Sequence, residues 1–176
     1  MTTAIVLPLY SESTWPALTQ LFSDVFTGDP AFAFQLADSY NGRDPEGNFE
    51  NNQTEAFISI NCLDKRADTS VEALRAEAAQ LASASPVFGP QMAWDAGCES
   101  WPVPSQRARL PIVAAGSADI LVIGTTNDPA TPYEWAVTLA GTLEKGHLVT
   151  FEGEGHTAYN KSNDCVNTVV DDFLVS

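Results

Sequence analysis

An aspartate and a histidine near the end of the sequence are the residues whose types and positions could do chemistry. Asp128 follows the apolar run ADILVIG (118–124), and His156 follows the shorter run HLVTF (147–151). An aspartate held against a histidine is the base half of a nucleophilic triad, because the carboxylate fixes the imidazole tautomer and stabilises the imidazolium that forms during proton transfer. The pair therefore indicates nucleophilic catalysis with His156 as the base.

Ordinary structural roles remain open for the same residue types. An aspartate after a strand often caps the next helix, and a histidine is usually a surface residue or a satisfied core residue. His147 begins a strand with no acidic turn beside it, which predicts a solvated role. For His156, Gly153 and Gly155 permit a tight turn that would aim the side chain outward.

The last third of the sequence predicts the elements that position this pair. The first apolar run is continuous and β-branched, as expected for a strand buried on both faces. A helix starts near Pro132, a second strand follows, and Asn163 or Asp164 caps a final helix. This βαβα order predicts a parallel α/β sheet. Neighbouring strand ends lie on one edge of such a sheet, so Asp128 and His156 could meet there.

The earlier part of the sequence predicts helices joined by loops. A helix is expected from Ser13 to Phe26, a short one after Asp29-Pro30, and an alanine-rich one capped by Thr69 or Ser70. The segment 54–64 fits either a helix or a short strand. Residues 86–117 are rich in Pro, Gly and Trp, which is typical of a long lid or binding loop.

Composition narrows the function classes. The 176 residues carry 8 Lys and Arg against 23 Asp and Glu, a net charge of -15. This balance disfavours nucleic acid and anionic membrane surfaces as partners. With 44% hydrophobic residues the chain can bury a core, as one domain or a large piece of one. No cofactor or metal is expected, since zinc-ligand spacing and a phosphate loop are both absent from the sequence.

Several segments, in order along the chain, resemble one family of serine peptidases. ILVIGTTNDPATP, which contains Asp128, and HLVTFEGEGHTAY, which contains His156, are similar to the end of a tripeptidyl-aminopeptidase-like α/β-hydrolase of peptidase family S33. Upstream, CLD (62–64) and CESWP (98–102) resemble the Cys-x-Asp and Cys-x-x-Trp-Pro elements of that family. The resemblance covers most of the chain and is strongest over 118–160. It implies that Asp128 is the triad acid and His156 the triad base.

The resemblance also implies a fold class and a division of the chain. The fold is α/β, the C-terminal part of an α/β-hydrolase, with its last parallel strands and flanking helices, plus a mainly helical lid region. Residues 1–117 would form the lid with its Trp- and Pro-rich loop, and residues 118–176 would form the part of the core that carries the acid and the base.

The nucleophile of such an enzyme is not in this sequence. α/β-Hydrolases place it in a G-x-S-x-G elbow upstream of the acid and base, and no such pentapeptide occurs in the 176 residues. The oxyanion hole also needs amides from that upstream part. We therefore expect the missing N-terminal half of the hydrolase to be a partner, and the chain to be inactive alone.

Three cysteines leave at least one without an internal partner. The resemblance implies a Cys62–Cys98 disulfide and a partner for Cys165 beyond Ser176; the alternative is three reduced thiols in a cytosolic protein. Few lysines and paired cysteine elements favour an exported, extracellular parent protein. The first residues, MTTAIVLPLYSES, lack the basic start and cleavage site of a signal peptide. Together with the odd cysteine, they suggest a fragment of a larger protein.

The resemblance implies a secreted peptidase that removes short peptides from free N-termini, acting on a peptide or small acyl substrate. Asp64, Asp95 and Glu99 are candidates to hold the free α-amine of that substrate. Two alternatives stay open: an esterase or other acyl hydrolase on the same fold, and a non-catalytic binding module that keeps the hydrolase shell.

Overall fold

A computed structural model describes residues 1–64, 70–92, 98, 101–103, 105 and 110–175. The chain divides into two compact units. The first, which we call the sheet unit, holds residues 3–37 and the chain from residue 111 onward. The second, which we call the helical unit, holds residues 38–110.

The chain begins with helices. In order they are α1 (Thr2–Leu9), a 3-10 turn (Glu12–Thr14), α2 (Pro16–Phe26) and α3 (Ala31–Tyr40). The predicted helix start at Ser13 is wrong: α2 begins at Pro16, because proline suits the first helical turn, where its missing N–H has no partner to lose. The predicted start of the next helix is confirmed, since Asp29 accepts a hydrogen bond from the Ala31 amide at 2.9 Å.

The helical unit contains α4 (Gln53–Asp64), α5 (Val71–Ala84) and α6 (Gly89–Met92). The ambiguous segment 54–64 is therefore helical. Ser70 caps α5 by accepting a hydrogen bond from the Ala73 amide at 3.2 Å, whereas the alternative cap, Thr69, lies outside the described residues. The Cys62–Cys98 disulfide is present and ties α4 to the segment after α6. Among the described residues, no helix has the length and hydropathy required to span a bilayer.

The end of the chain forms the predicted βαβα unit. It consists of β1 (Ile120–Asn127), α7 (Tyr133–Thr142), β2 (Gly146–Glu154) and α8 (Asp164–Val175). The two strands are parallel and pair from Ile120 opposite Gly146 to Thr125 opposite Phe151. The helices and the parallel strands confirm the α/β arrangement of the predicted fold class.

Two helices enclose the faces of this small sheet. Leu121 and Ile123 pack against the buried cluster that includes Val166 and Val170 of α8. Gly124 points to the opposite face, because successive residues of a strand alternate. A Cβ at Gly124 would lie 2.8 Å from the Cβ of Ala136, so glycine lets α7 approach β1 closely.

The division into a lid (1–117) and a core (118–176) stays a prediction. The compact units are defined by contacts within this chain, and they place residues 3–37 with the strands. Which residues cover an active site is a separate property, which depends on where the nucleophile lies.

Removing the disulfide should destabilise the helical unit. The two cysteines are 36 residues apart, and opening a loop of that length is expected to lower the free energy of unfolding by about 4 kcal/mol. The double variant Cys62→Ala/Cys98→Ala tests this in urea. Cys165→Ala is the matched control, since that thiol is free and exposed, and it should change stability by less than about 0.5 kcal/mol. Equal stability of all three proteins would contradict the expectation.

Candidate active site

Asp128 lies in the turn between β1 and α7, where backbone amides surround its carboxylate. Oδ1 accepts hydrogen bonds from the amides of Ala130 and Thr131, both at 2.8 Å. Oδ2 accepts from the Thr131 hydroxyl at 2.8 Å and from the Thr157 amide at 3.1 Å. With its side chain only 3% exposed, Asp128 is a buried charge whose hydrogen bonds replace water.

His156 lies in the turn after β2, and the N-terminal segment holds that turn. The His156 amide donates to the carbonyl of Tyr10 at 2.9 Å. The rings of Tyr10 and His156 meet edge to face, with centroids 4.9 Å apart. Gly155 has a φ of 96°, a left-handed conformation that glycine adopts without penalty, and a Cβ there would lie 2.9 Å from the Tyr10 carbonyl oxygen.

The two turns bring the predicted pair into contact. Nδ1 of His156 lies 3.0 Å from both carboxylate oxygens of Asp128. The His156 side chain is 25% exposed, so it is more accessible than the carboxylate that contacts it. Within the described part of the chain, no hydrogen bond to Nε2 is formed. Because the carboxylate contacts Nδ1, the proton of a neutral ring belongs on Nδ1 and the lone pair on Nε2.

Hydrogen bonds between the strand ends fix the separation of the two turns. The Thr126 hydroxyl accepts from the Gly153 amide at 3.0 Å and donates to the Gly153 carbonyl at 3.2 Å. One residue later, the Asn127 amide group donates to Glu154 at 2.8 Å. These bonds span the register irregularity between Thr125 and Asn127, so the strands remain tied up to the site.

The hydrogen bonds also control the charge of Asp128. Burial alone would raise the pKa of this carboxyl, but the hydrogen bonds from Thr131, Ala130 and Thr157 outweigh burial and hold the pKa well below its usual range. Asp128 is therefore ionised throughout the neutral range. An ionised acceptor on Nδ1 can orient the imidazole and stabilise its protonated form, which is what general-base catalysis through Nε2 requires.

A cavity of about 410 Å³ runs along the edge of β1 that faces away from β2. Residues 122–125 of β1 all line the cavity. Because successive side chains of a strand point to opposite faces of the sheet, four consecutive lining residues place the cavity along the edge of the strand. Trp135 and Leu139 of α7 form another wall, and Asp128 also lines the cavity. We call this cavity the edge groove.

The remaining predicted site residues lie elsewhere or are not described. Asp64 is the last residue of α4, in the helical unit. Asp95 and Glu99 lie outside the described residues, and Cys165 is free and exposed. His147 is exposed and lies 3.5 Å from Asp119, another exposed residue. Over the described ranges, no group of three His, Cys, Asp or Glu side chains could hold a metal ion.

Sequence reasoning did not identify three residues that complete the site: Tyr10, Thr131 and Thr157. The position of Thr131, three residues after an aspartate in a turn, could have indicated a local hydrogen bond. Tyr10 gave no signal, because its contact with His156 joins distant parts of the sequence.

Parallel strands that end in a contacting aspartate and histidine are the arrangement expected of an α/β-hydrolase. The comparison with known families agrees: residues 85–176 match the TAP-like protein family, and the chain belongs to it.

Three relatives illustrate the range of proteins to which the chain is similar. Carboxylesterase B of Mycobacterium tuberculosis is 35% identical over 174 residues, 96% of this chain and 33% of that protein. Serine protease Hip1 of the same species is 32% identical, over 97% of this chain and 33% of that protein. Tripeptidyl aminopeptidase of Streptomyces lividans is 26% identical, over 95% and 32%. The chain spans about a third of the length of these relatives.

Replacing Asp128 by Asn should lower stability in a pH-dependent way. The folded-state pKa of Asp128 lies below the unfolded value of about 3.9, so the carboxylate stabilises the fold fully above that value, and this contribution decreases as the pH falls from there toward the folded-state pKa. We expect Asp128→Asn to cost about 2 kcal/mol at pH 7, with a smaller difference from the unsubstituted protein at pH 3. Urea unfolding at both pH values measures it.

The matched control is Asp172→Asn, on the exposed side of α8. Its effect should be small at both pH values. A penalty for Asp128→Asn that is the same at pH 3 and pH 7 would contradict the expectation.

Proposed function

We propose that this chain is the C-terminal portion of a secreted serine hydrolase in which Asp128 is the triad acid and His156 the triad base. The observation that carries the proposal is the 3.0 Å contact of His156 Nδ1 with both oxygens of a buried, ionised Asp128. A helix cap would not need this contact, because the backbone amides of the turn already satisfy the capping role of the aspartate.

The chemistry follows from the tautomer. Nε2 accepts the proton of a serine hydroxyl as the serine oxygen forms a bond to the substrate carbonyl carbon, and Asp128 stabilises the resulting imidazolium. Nε2 then returns the proton to the leaving group, an amine for a peptide or an alcohol for an ester. A water molecule then attacks the acyl-enzyme in the same way, with Nε2 as the base, and the bond between the serine oxygen and the acyl carbon breaks to release the acid. The serine and the oxyanion hole come from the upstream part of the hydrolase, since the 176 residues contain no G-x-S-x-G elbow.

The edge groove supports the upstream part of the hydrolase as the partner. In the part of the chain that the structure describes, the sheet has two strands, so one edge of β1 is unpaired. Thr125, only 2% exposed, lines the groove, and its buried hydroxyl has no hydrogen-bond partner among the described residues. Trp135, on another wall of the groove, is 63% exposed. A further parallel strand laid along this edge would pair its backbone and cover the apolar wall.

For the substrate, we favour peptides with a free N-terminus, from which the enzyme removes short peptides. The support is the similarity to a tripeptidyl aminopeptidase and to a serine protease. A second candidate is ester hydrolysis, which the 35% identity with a carboxylesterase favours. Secretion is supported by the Cys62–Cys98 disulfide, because disulfides persist in oxidising compartments.

A fluorophosphonate probe, which labels activated serines, tests the catalytic assignment. The full-length protein should be labelled. Its His156→Ala variant should lose labelling and several orders of magnitude in kcat, because the serine loses its base. The 176-residue chain alone should stay unlabelled. His147→Ala is the matched control and should behave like the unsubstituted protein.

Equal labelling of the full-length protein and its His156→Ala variant would reject the triad and favour a non-catalytic binding module. Labelling of any serine in the 176-residue chain would reject the expected inactivity of that chain.

A reporter panel on the full-length protein tests the substrate class. Tripeptidyl reporters with a free amine should be cleaved faster than blocked peptides and simple esters; the reverse order favours the esterase. Alanine at Asp64, Asp95 or Glu99 should raise KM for free-amine peptides alone, if the residue binds the amine through its charge. An equal rise for blocked substrates rejects that role.

A further inference from the structure

Thr131 contacts Asp128 through both its backbone and its side chain. The amide donates to Oδ1 and the hydroxyl to Oδ2, each at 2.8 Å. The same hydroxyl oxygen lies 3.4 Å from Nδ1 of His156. The other donors to Asp128 within the described ranges are the imidazole and two backbone amides. A side-chain substitution cannot remove a backbone amide. The Thr131 hydroxyl and the imidazole are therefore the two donors that a substitution can remove.

The direction of the hydroxyl proton follows from its neighbours. A threonine hydroxyl has one proton and two lone pairs, and an ionised carboxylate can only accept. The Thr131 proton therefore points to Oδ2, which leaves an oxygen lone pair toward Nδ1. Three acceptor oxygens then surround Nδ1, two from Asp128 and one from Thr131. That environment is favourable only when Nδ1 carries the proton, so Nε2 keeps its lone pair.

The hydroxyl also restricts rotation of the carboxylate. Each oxygen of Asp128 accepts two hydrogen bonds besides the imidazole, which holds both oxygens at the same distance from Nδ1. Without the hydroxyl, Oδ2 would keep only the imidazole at 3.0 Å and the Thr157 amide at 3.1 Å. The exposed position of Thr131 would let water compete for the freed lone pair.

We propose that Thr131 is a positioning residue of this site: its hydroxyl locks the Asp128 carboxylate in the orientation that keeps the His156 proton on Nδ1. The proposal rests on the proposed function, since it assigns a role within the Asp128–His156 pair. Thr131 contacts neither the reacting serine nor the substrate in this assignment, and it acts through Asp128 and the Nδ1 proton of His156.

Two substitutions in the full-length hydrolase separate the hydroxyl from the shape of the side chain. Thr131→Val keeps the shape and loses the hydroxyl; it should lower kcat about tenfold to a hundredfold with little change in KM, as expected when a hydrogen bond to a charged group is lost. Thr131→Ser keeps the hydroxyl and should stay within about threefold of the unsubstituted enzyme. Thr138→Val on α7 is the matched control, because the Thr138 hydroxyl donates a hydrogen bond within its own helix, to the Glu134 carbonyl at 2.7 Å.

A second measurement does not depend on activity. In the 176-residue chain, carbon NMR of the labelled Asp128 carboxyl should show it titrating at a higher pH in Thr131→Val than in Thr131→Ser or the unsubstituted chain. A change in packing alone would not produce this order, because valine and threonine have the same shape.

The outcomes distinguish this proposal from the function on which it rests. If His156→Ala abolishes activity while Thr131→Val keeps the full kcat, the positioning role is wrong and the triad stands. Equal losses in Thr131→Val and Thr131→Ser, or an unchanged Asp128 titration, also overturn the role of the hydroxyl. If His156→Ala keeps full activity, both proposals are rejected.

Discussion

The site depends on the hydrogen bonding of one buried carboxylate. A carboxylate that loses its water must receive donors from the protein, or it becomes protonated. Asp128 receives donors from its own turn, from the turn after β2 and from the imidazole of His156. The carboxylate is thus the point at which two separate turns are joined, and in the proposed triad its charge stabilises the protonated histidine.

This requirement explains why the strands must be paired so firmly at their ends. A donor contributes only within a narrow range of distance and angle. The Thr157 amide reaches Asp128 because β1 and β2 end level with each other, and Thr126 bridges to Gly153 at that point. A slip of one residue in register would move both the amide and the imidazole away from the carboxylate, and it would also turn the apolar side chains of β1 to the wrong faces. Sheet packing and the contact of Asp128 with His156 therefore constrain the same register.

Much of the fold and the central pair could be predicted from the sequence, for identifiable reasons. The apolar run before Asp128 and the glycines around His156 are local signals, and the rule for parallel strands converts them into proximity. The glycine at position 155, with a φ of 96°, agrees with that reasoning. The prediction of the disulfide depends on the resemblance to a family, since no spacing rule pairs Cys62 with Cys98.

Other features could not be predicted because their causes are not local. The contact of Tyr10 with His156 joins distant parts of the sequence. The apolar residues in the segment 54–64 fit the spacing of a helix and also that of a strand. The sequence of the segment alone therefore does not distinguish the two structures. The donors on Asp128 from Thr131 and Thr157 required the turn geometry, which residue types suggest but do not define.

The bond from the His156 amide to the Tyr10 carbonyl has an evolutionary consequence. It joins the two sequence segments of the sheet unit, and the whole helical unit lies between them along the chain. The helical unit is thus an insertion within a closed loop. Loop closure entropy grows only with the logarithm of length, about 0.6 kcal/mol for each doubling. Related proteins could therefore lengthen, shorten or replace this insertion at little cost to the bond that holds the His156 turn in place.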